Sequence, residues 1–146
     1  MGRSMMQPRV TLVTLGVTNM ERSRAFYERL GFVASSASNA DVTFFEANGI
    51  VLGLFGHDAL AEDAKVPTTP VPQFRGVSLA WNAESETAVD AIINHARAVG
   101  ALILKPAEKV FWGGYSGYFA DPDGHLWEVA YNPSFPLDPS GRLQLP

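Results

Sequence analysis

Glu128 is the residue of this chain whose setting most invites chemistry. It stands in residues 113–133, GGYSGYFADPDGHLWEVAYNP, which read as two strands joined by a tight turn. In residues 121–124, DPDG, proline sets φ at the start of a type I turn, and Gly124 closes a three-residue loop with a bulge. That loop opposes Asp121 to His125, Ala120 to Leu126 and Tyr118 to Glu128. Directly opposed residues share a sheet face, so Tyr118, Ala120, Leu126, Glu128 and Ala130 point one way. A carboxylate in such company needs hydrogen-bond partners, a metal or a ligand. Its functional reading is a general base or an acceptor for a bound molecule.

Other candidates for chemistry are few. The chain has no cysteine, which excludes disulfides, thiolate chemistry and Cys-ligated zinc. His57 falls just beyond a strand, His95 on a helix, and His125 three residues from Glu128, where alternation sends it to the opposite face. All three read as packing or surface histidines. A net charge of −4 with no Lys/Arg run argues against a nucleic-acid partner. No apolar run reaches the roughly 18 residues of a membrane span. Residues 1–8 lack a signal-peptide core and read as a frayed or added end, so a cytoplasmic protein is expected.

The elements that must position Glu128 recur. Residues 10–17, VTLVTLGV, form a β-branched strand. Thr18 and Glu21 have capping-box spacing, and a helix follows up to Gly31. Residues 32–37, 41–47 and 50–55 are short strand candidates, the last two joined at Asn48-Gly49. A two-residue turn there points Phe44 the same way as Gly53, whereas a three-residue loop points Thr43 that way. The order then repeats, with a strand at 74–81, a helix at 84–99 and strands from 101 to the final hairpin. The reading is a first βαβββ module at 9–55, a linker or lid at 56–73, a second module at 74–132, and a Pro-rich arm at 133–146.

This duplication, with the run G-Y-F-x-D-P-D-G-H-x-W-E-V-x-x-N-P at 117–133 and L-G-V-x-N-M-E-R-S-x-x-F-Y-x-x-L-G-F at 15–32, resembles the vicinal oxygen chelate superfamily. That group includes glyoxalase I, extradiol dioxygenases and bleomycin-resistance proteins. The resemblance, over roughly residues 9–135, implies an α+β fold in which two tandem modules curl mixed sheets into a cleft. Metal-dependent relatives place His, Glu or Gln at up to four inward positions. Glu128 matches the last of these, while Leu12, Gly53 and Gly76 stand at the others. One carboxylate and three non-ligands do not hold a divalent metal.

With Leu12 and Gly76 inward, alternation makes Thr14, Ser78 and Ala80 inward and sends Trp81 and Trp127 outward. Ser116 and Tyr118 are inward by the hairpin register. Trp112, before Gly113-Gly114, is either a cover for ligand or an anchor for its loop. The resemblance thus implies metal-independent capture of a small molecule by Thr14, Ser78, Trp112, Ser116, Tyr118 and Glu128, as in bleomycin-resistance-like relatives. The alternative is a diverged glyoxalase-like lyase or dioxygenase-like enzyme using Glu128 with nickel, zinc, manganese or iron. Relatives commonly form two-fold dimers, sometimes exchanging modules between chains. With Phe135, Leu137, Leu143 and Leu145 in the arm, a homodimer is expected.

Overall fold

A computed structural model describes residues 6–146. Of the expected loose start at 1–8, residues 1–5 lie outside the described residues, and residues 6–8 are exposed without regular structure. In order come β1 (Leu12–Val17), α1 (Met20–Leu30), β2 (Val42–Glu46), β3 (Val51–Gly56), α2 (His57–Ala64), β4 (Ser78–Asn82), α3 (Glu86–Ala98), β5 (Leu102–Lys109), β6 (Tyr115–Ala120) and β7 (Leu126–Tyr131). The strands make two mixed sheets, ordered β1-β3-β2 and β4-β7-β6-β5. In each, the first strand lies parallel to the last, with a crossover helix between, and the remaining pairs are antiparallel. None of the described helices is long and apolar enough to cross a membrane.

The local structure departs from the sequence-based expectations in four places. The cap of α1 is Asn19, whose side chain accepts the Arg22 N–H, and Thr18 is instead bound to Asp123. Residues 32–37 make only an isolated bridge, Ala34 to Phe45. There Ser35 and Ser38 side chains take the N–H groups of Ala37 and Phe44, competing with a ladder. Residues 56–73 are not all linker. They contain α2, which lies against β1 so closely that a Cβ on Gly16 would sit 3.2 Å from the His57 Cα. The arm folds back as a D-P-S-G hairpin at residues 138–141, with Asn48 donating to the Ser140 carbonyl.

Alternation decides what the sheets bury. Leu15, Val17, Phe45, Leu52 and Leu54 from one sheet join Phe119, Trp127 and Val129 from the other in a single core. Between them lie Phe26, Tyr27 and Leu30 of α1 and Val89, Ile93 and Ala96 of α3. The Tyr27 and Trp127 rings stand 6.0 Å apart and those of Phe26 and Phe119 6.5 Å, so the first module's helix packs on the second module's sheet. Ring pairs of this kind contribute about 0.5–1.5 kcal/mol beyond their buried area. The two sheets therefore share one core, and the opposite face of each points away from it. Each open face is one wall of a potential cleft.

Glycine matters most at one point of close approach. The register of β5 against β6 shifts around Lys105 and Glu108, with Pro106 between them. The resulting bulge brings the Lys105 carbonyl oxygen and the Ala107 nitrogen to 2.9 Å from where a Cβ on Gly117 would lie. Both are backbone atoms and cannot swing aside. Gly117→Ala is expected to destabilise the fold by about 1–3 kcal/mol. The readout is a lower urea midpoint at unchanged slope. An unchanged midpoint would mean that the bulge yields without cost.

Candidate ligand-binding site

The hairpin that carries Glu128 is fixed by its own turn. Asp121 N–H donates to His125 O (3.1 Å), Gly124 N–H to Asp121 O (3.0 Å), and Gly124 takes φ 85°. Asp121 Oδ1 accepts the N–H groups of Asp123 (2.9 Å) and His125 (2.8 Å). The resulting register pairs Tyr118 with Glu128 and Ala120 with Leu126, as the turn residues dictate.

The same turn ties the two modules together. The Tyr27 hydroxyl donates to Asp121 Oδ2 (2.6 Å) and accepts from the Trp127 indole N–H (3.0 Å). Burial, then the Asp121 carboxylate, pushes the Tyr27 hydroxyl well above the usual phenol range. Asp123 accepts from the Thr18 N–H (3.0 Å) and hydroxyl (2.8 Å), from the Ser23 hydroxyl (2.9 Å), and from Arg22 (3.2 Å). His125 Nε2–H donates to the Gly16 carbonyl (2.8 Å), and Arg75 donates to His125 Nδ1 (2.9 Å) and to the Asp123 carbonyl. The most recognisable motif in the chain is thus a structural latch. The other histidines also bind backbone: His57 donates to the Thr69 carbonyl (3.2 Å) and His95 to that of Arg29 (2.7 Å).

Tyr118 and Glu128 form the centre of the open face of the four-stranded sheet, both half-buried. Burial, then the facing Glu128 charge, raises the Tyr118 pKa, so the phenol remains a proton-bearing donor. Ala80 opposes Glu128 on β4, and Ser78 lies one diagonal away; both are exposed. Ser116 shares this face but is only 2% exposed, which closes it to a ligand unless neighbours move. The register adds two residues not singled out from sequence: Lys105 pairs with Tyr118 and Glu108 with Ser116. Pro106 was the available signal, since proline inside a strand marks an edge or a bulge.

The other wall is apolar. Asn48 (φ 59°) and Gly49 (φ 105°) make a two-residue turn, which places Phe44 opposite Gly53. A Cβ on Gly53 would meet Leu12 at 3.3 Å, Thr14 at 3.5 Å and Phe44 at 3.6 Å. Thr14 is therefore the single hydroxyl of this cluster, and it points away from the core that it shares with the Glu128 sheet. Trp112 belongs to neither wall. It stands at the tip of the 110–114 hairpin, where a Cβ on Gly114 would fall within its ring at 1.7 Å. The indole is packed on its own loop.

Gly76 lies outside β4 in a positive-φ conformation (71°), and so is no strand position. Leu12 precedes the partner of Gly53 by two residues, and Ser78 precedes the partner of Glu128 by two. The four positions are thus Leu12, Gly53, Ser78 and Glu128. A divalent ion wants several nitrogen or oxygen ligands converging. Here the set holds one carboxylate and one hydroxyl, and side chains crowd the space above Gly53. Among the described residues no three His, Asp or Glu side chains could gather round an ion. This donor set does not fit a divalent metal.

The comparisons agree with this architecture. The family model of the Glyoxalase/Bleomycin resistance protein/Dioxygenase superfamily matches residues 9–129. The chain belongs to that superfamily. It is similar to a glyoxalase-related enzyme from Fulvimarina pelagi, at 35% identity and TM-score 0.83, covering 94% of this chain and 97% of that one. A glyoxalase/bleomycin resistance protein/dioxygenase from Nocardioides is 28% identical, with TM-score 0.75 over 88% and 85% of the two chains. A lactoylglutathione lyase from Agrobacterium tumefaciens shares the fold, at 21% identity and TM-score 0.63 over 86% and 95%.

The latch has a pH consequence. Burial alone would raise the Asp123 pKa, but hydrogen bonds from Thr18 and Ser23 and the Arg22 charge outweigh it and hold it below the usual carboxylate value. A group with a lowered folded pKa stabilises fully above its unfolded value, about 3.9, and loses that contribution as pH falls through the folded value. Urea midpoints measured from about pH 6 down to about pH 3 are expected to fall, and Asp123→Asn to flatten part of that fall. An acid limb of equal steepness in the variant would show that the latch carboxylate does not contribute.

Proposed function

We propose that this protein is a metal-independent small-molecule-binding member of its superfamily, acting by capture in the bleomycin-resistance-like manner. Each cleft is built from the β1-β3-β2 wall of one copy and the β4-β7-β6-β5 wall of a second. The observation that carries the reading is the outward direction of both walls from one shared core. In a lone chain Leu12 is 45% exposed and Leu102 65%, although both sit on sheet faces rather than loops. Covering such faces gains about 25 cal/mol per Å² of apolar area.

The edges support the same assembly. β1 and β4 are edge strands of their sheets, and an apolar groove of about 1100 Å³ runs between the modules beside them. Phe32, Trp81 and Trp127 are among its lining residues, with Leu137 and Leu143 of the arm. Unpaired edges invite pairing with another chain, and a two-fold assembly covers both copies' edges at once.

A lyase-like or dioxygenase-like reaction would need further donors to join Glu128. Light scattering at micromolar concentration is expected to give twice the chain mass, and a monomer would sink the two-copy cleft. In thermal-shift titrations, nickel, zinc, manganese and iron(II) are expected to produce no saturable stabilisation that depends on Glu128. A stoichiometric shift lost in Glu128→Gln would overturn the metal-free reading and restore the enzymatic one.

A further inference from the structure

Resting on this two-copy cleft, we propose that its ligand is a small amphoteric molecule, with an apolar ring, a cationic group and an anionic group. Four residues stand in one cross-strand row on the open face of the larger sheet: Lys105, Tyr118, Glu128 and Ala80, on β5, β6, β7 and β4. Neighbouring strands lie about 4.8 Å apart, so Lys105 and Glu128 are roughly two spacings apart with Tyr118 between them. The row offers an ammonium, a phenol and a carboxylate in sequence, and Ala80 leaves its far end open.

The two charges differ in how they are engaged. Lys105 pairs with Glu108 at 3.5 Å, and both side chains are exposed, 38% and 61%. An exposed pair of this kind is easily exchanged for a ligand anion. Among the described residues no ion pair engages Glu128, whose partner is the neutral Tyr118 phenol. Closing the apolar wall of Leu12 and Phe44 over this row would strip water from both charges. A purely cationic ligand would then leave Lys105 held by Glu108 alone and beside a like charge, and a purely anionic one would set a like charge beside Glu128. Setting like charges side by side out of water is costly. A ligand bearing both signs meets both groups, and its ring lies on the wall around Gly53.

Three probes sharing one ring separate these cases: L-phenylalanine, phenethylamine and 3-phenylpropionate, titrated calorimetrically into the wild-type protein, Lys105→Met and Glu128→Gln. The amino acid is expected to bind at least about tenfold more tightly than either single-charge analogue. Lys105→Met should erase its advantage over phenethylamine, and Glu128→Gln its advantage over 3-phenylpropionate, with both variants keeping the wild-type melting temperature. A single-charge analogue that binds as tightly as the amino acid overturns the proposal, as does the failure of all three to bind. If a dimeric, metal-indifferent protein gives either result, the ligand class alone is wrong. A monomer in light scattering removes the cleft itself.

Discussion

Everything in this molecule depends on burying the two carboxylates of one turn between its halves. Removing a carboxylate from water without partners costs several kcal/mol, so each must be met by several donors at fixed positions. Asp121 takes two from the Asp123 and His125 N–H groups of its own turn and one from Tyr27, while Asp123 takes four contacts from Thr18, Arg22 and Ser23 at the entry to α1. The local set holds the turn, and the turn sets the register that puts Tyr118 across from Glu128. The distant set locks α1 onto the second sheet. One short loop thereby decides both which residues face the cleft and how the halves are mounted.

The walls show what the latch leaves free. Positions such as Leu12, Gly53, Ser78 and Glu128 all lie on faces turned away from the shared core, where a change of side chain removes no core contact. One wall is apolar and the other carries charges, yet the crossover topology of the two sheets is the same. In this fold, chemistry is decoupled from stability by direction alone.

Much of this was legible in the residues. The D-P-D-G turn specifies its loop chemically, and the hairpin register followed from it without any tertiary information. The Asn48-Gly49 turn left two choices, settled only by the pairing of β2 with β3. What could not be read was tertiary competition. Thr18 has the spacing of a cap, but Asp123, 105 residues away, takes its hydroxyl. Residues 32–37 carry strand-like character, yet two serines divert the backbone donors. Gly76 reads as a strand position, but its positive φ keeps it out of the sheet and β4 begins only at Ser78. Lys105 was overlooked because a bulge changes which side of β5 faces the site.

The common core has a consequence for how the chain comes apart. A lone first module would present Tyr27, Phe45 and Leu54 to water, all of them fully buried in the intact molecule. A lone second module would do the same with Phe119 and Trp127 and would strand the Asp121 carboxylate. Each half packs its own helices on its own sheet, but Tyr27, Phe26, Phe119 and Trp127 join the two sets of buried side chains into one cluster, so the halves are expected to melt together. The duplicated sequence pattern suggests a pair of autonomous units, but the cooperative unit is the pair. Cutting the chain at its linker would therefore expose on each fragment the side chains that the other now covers.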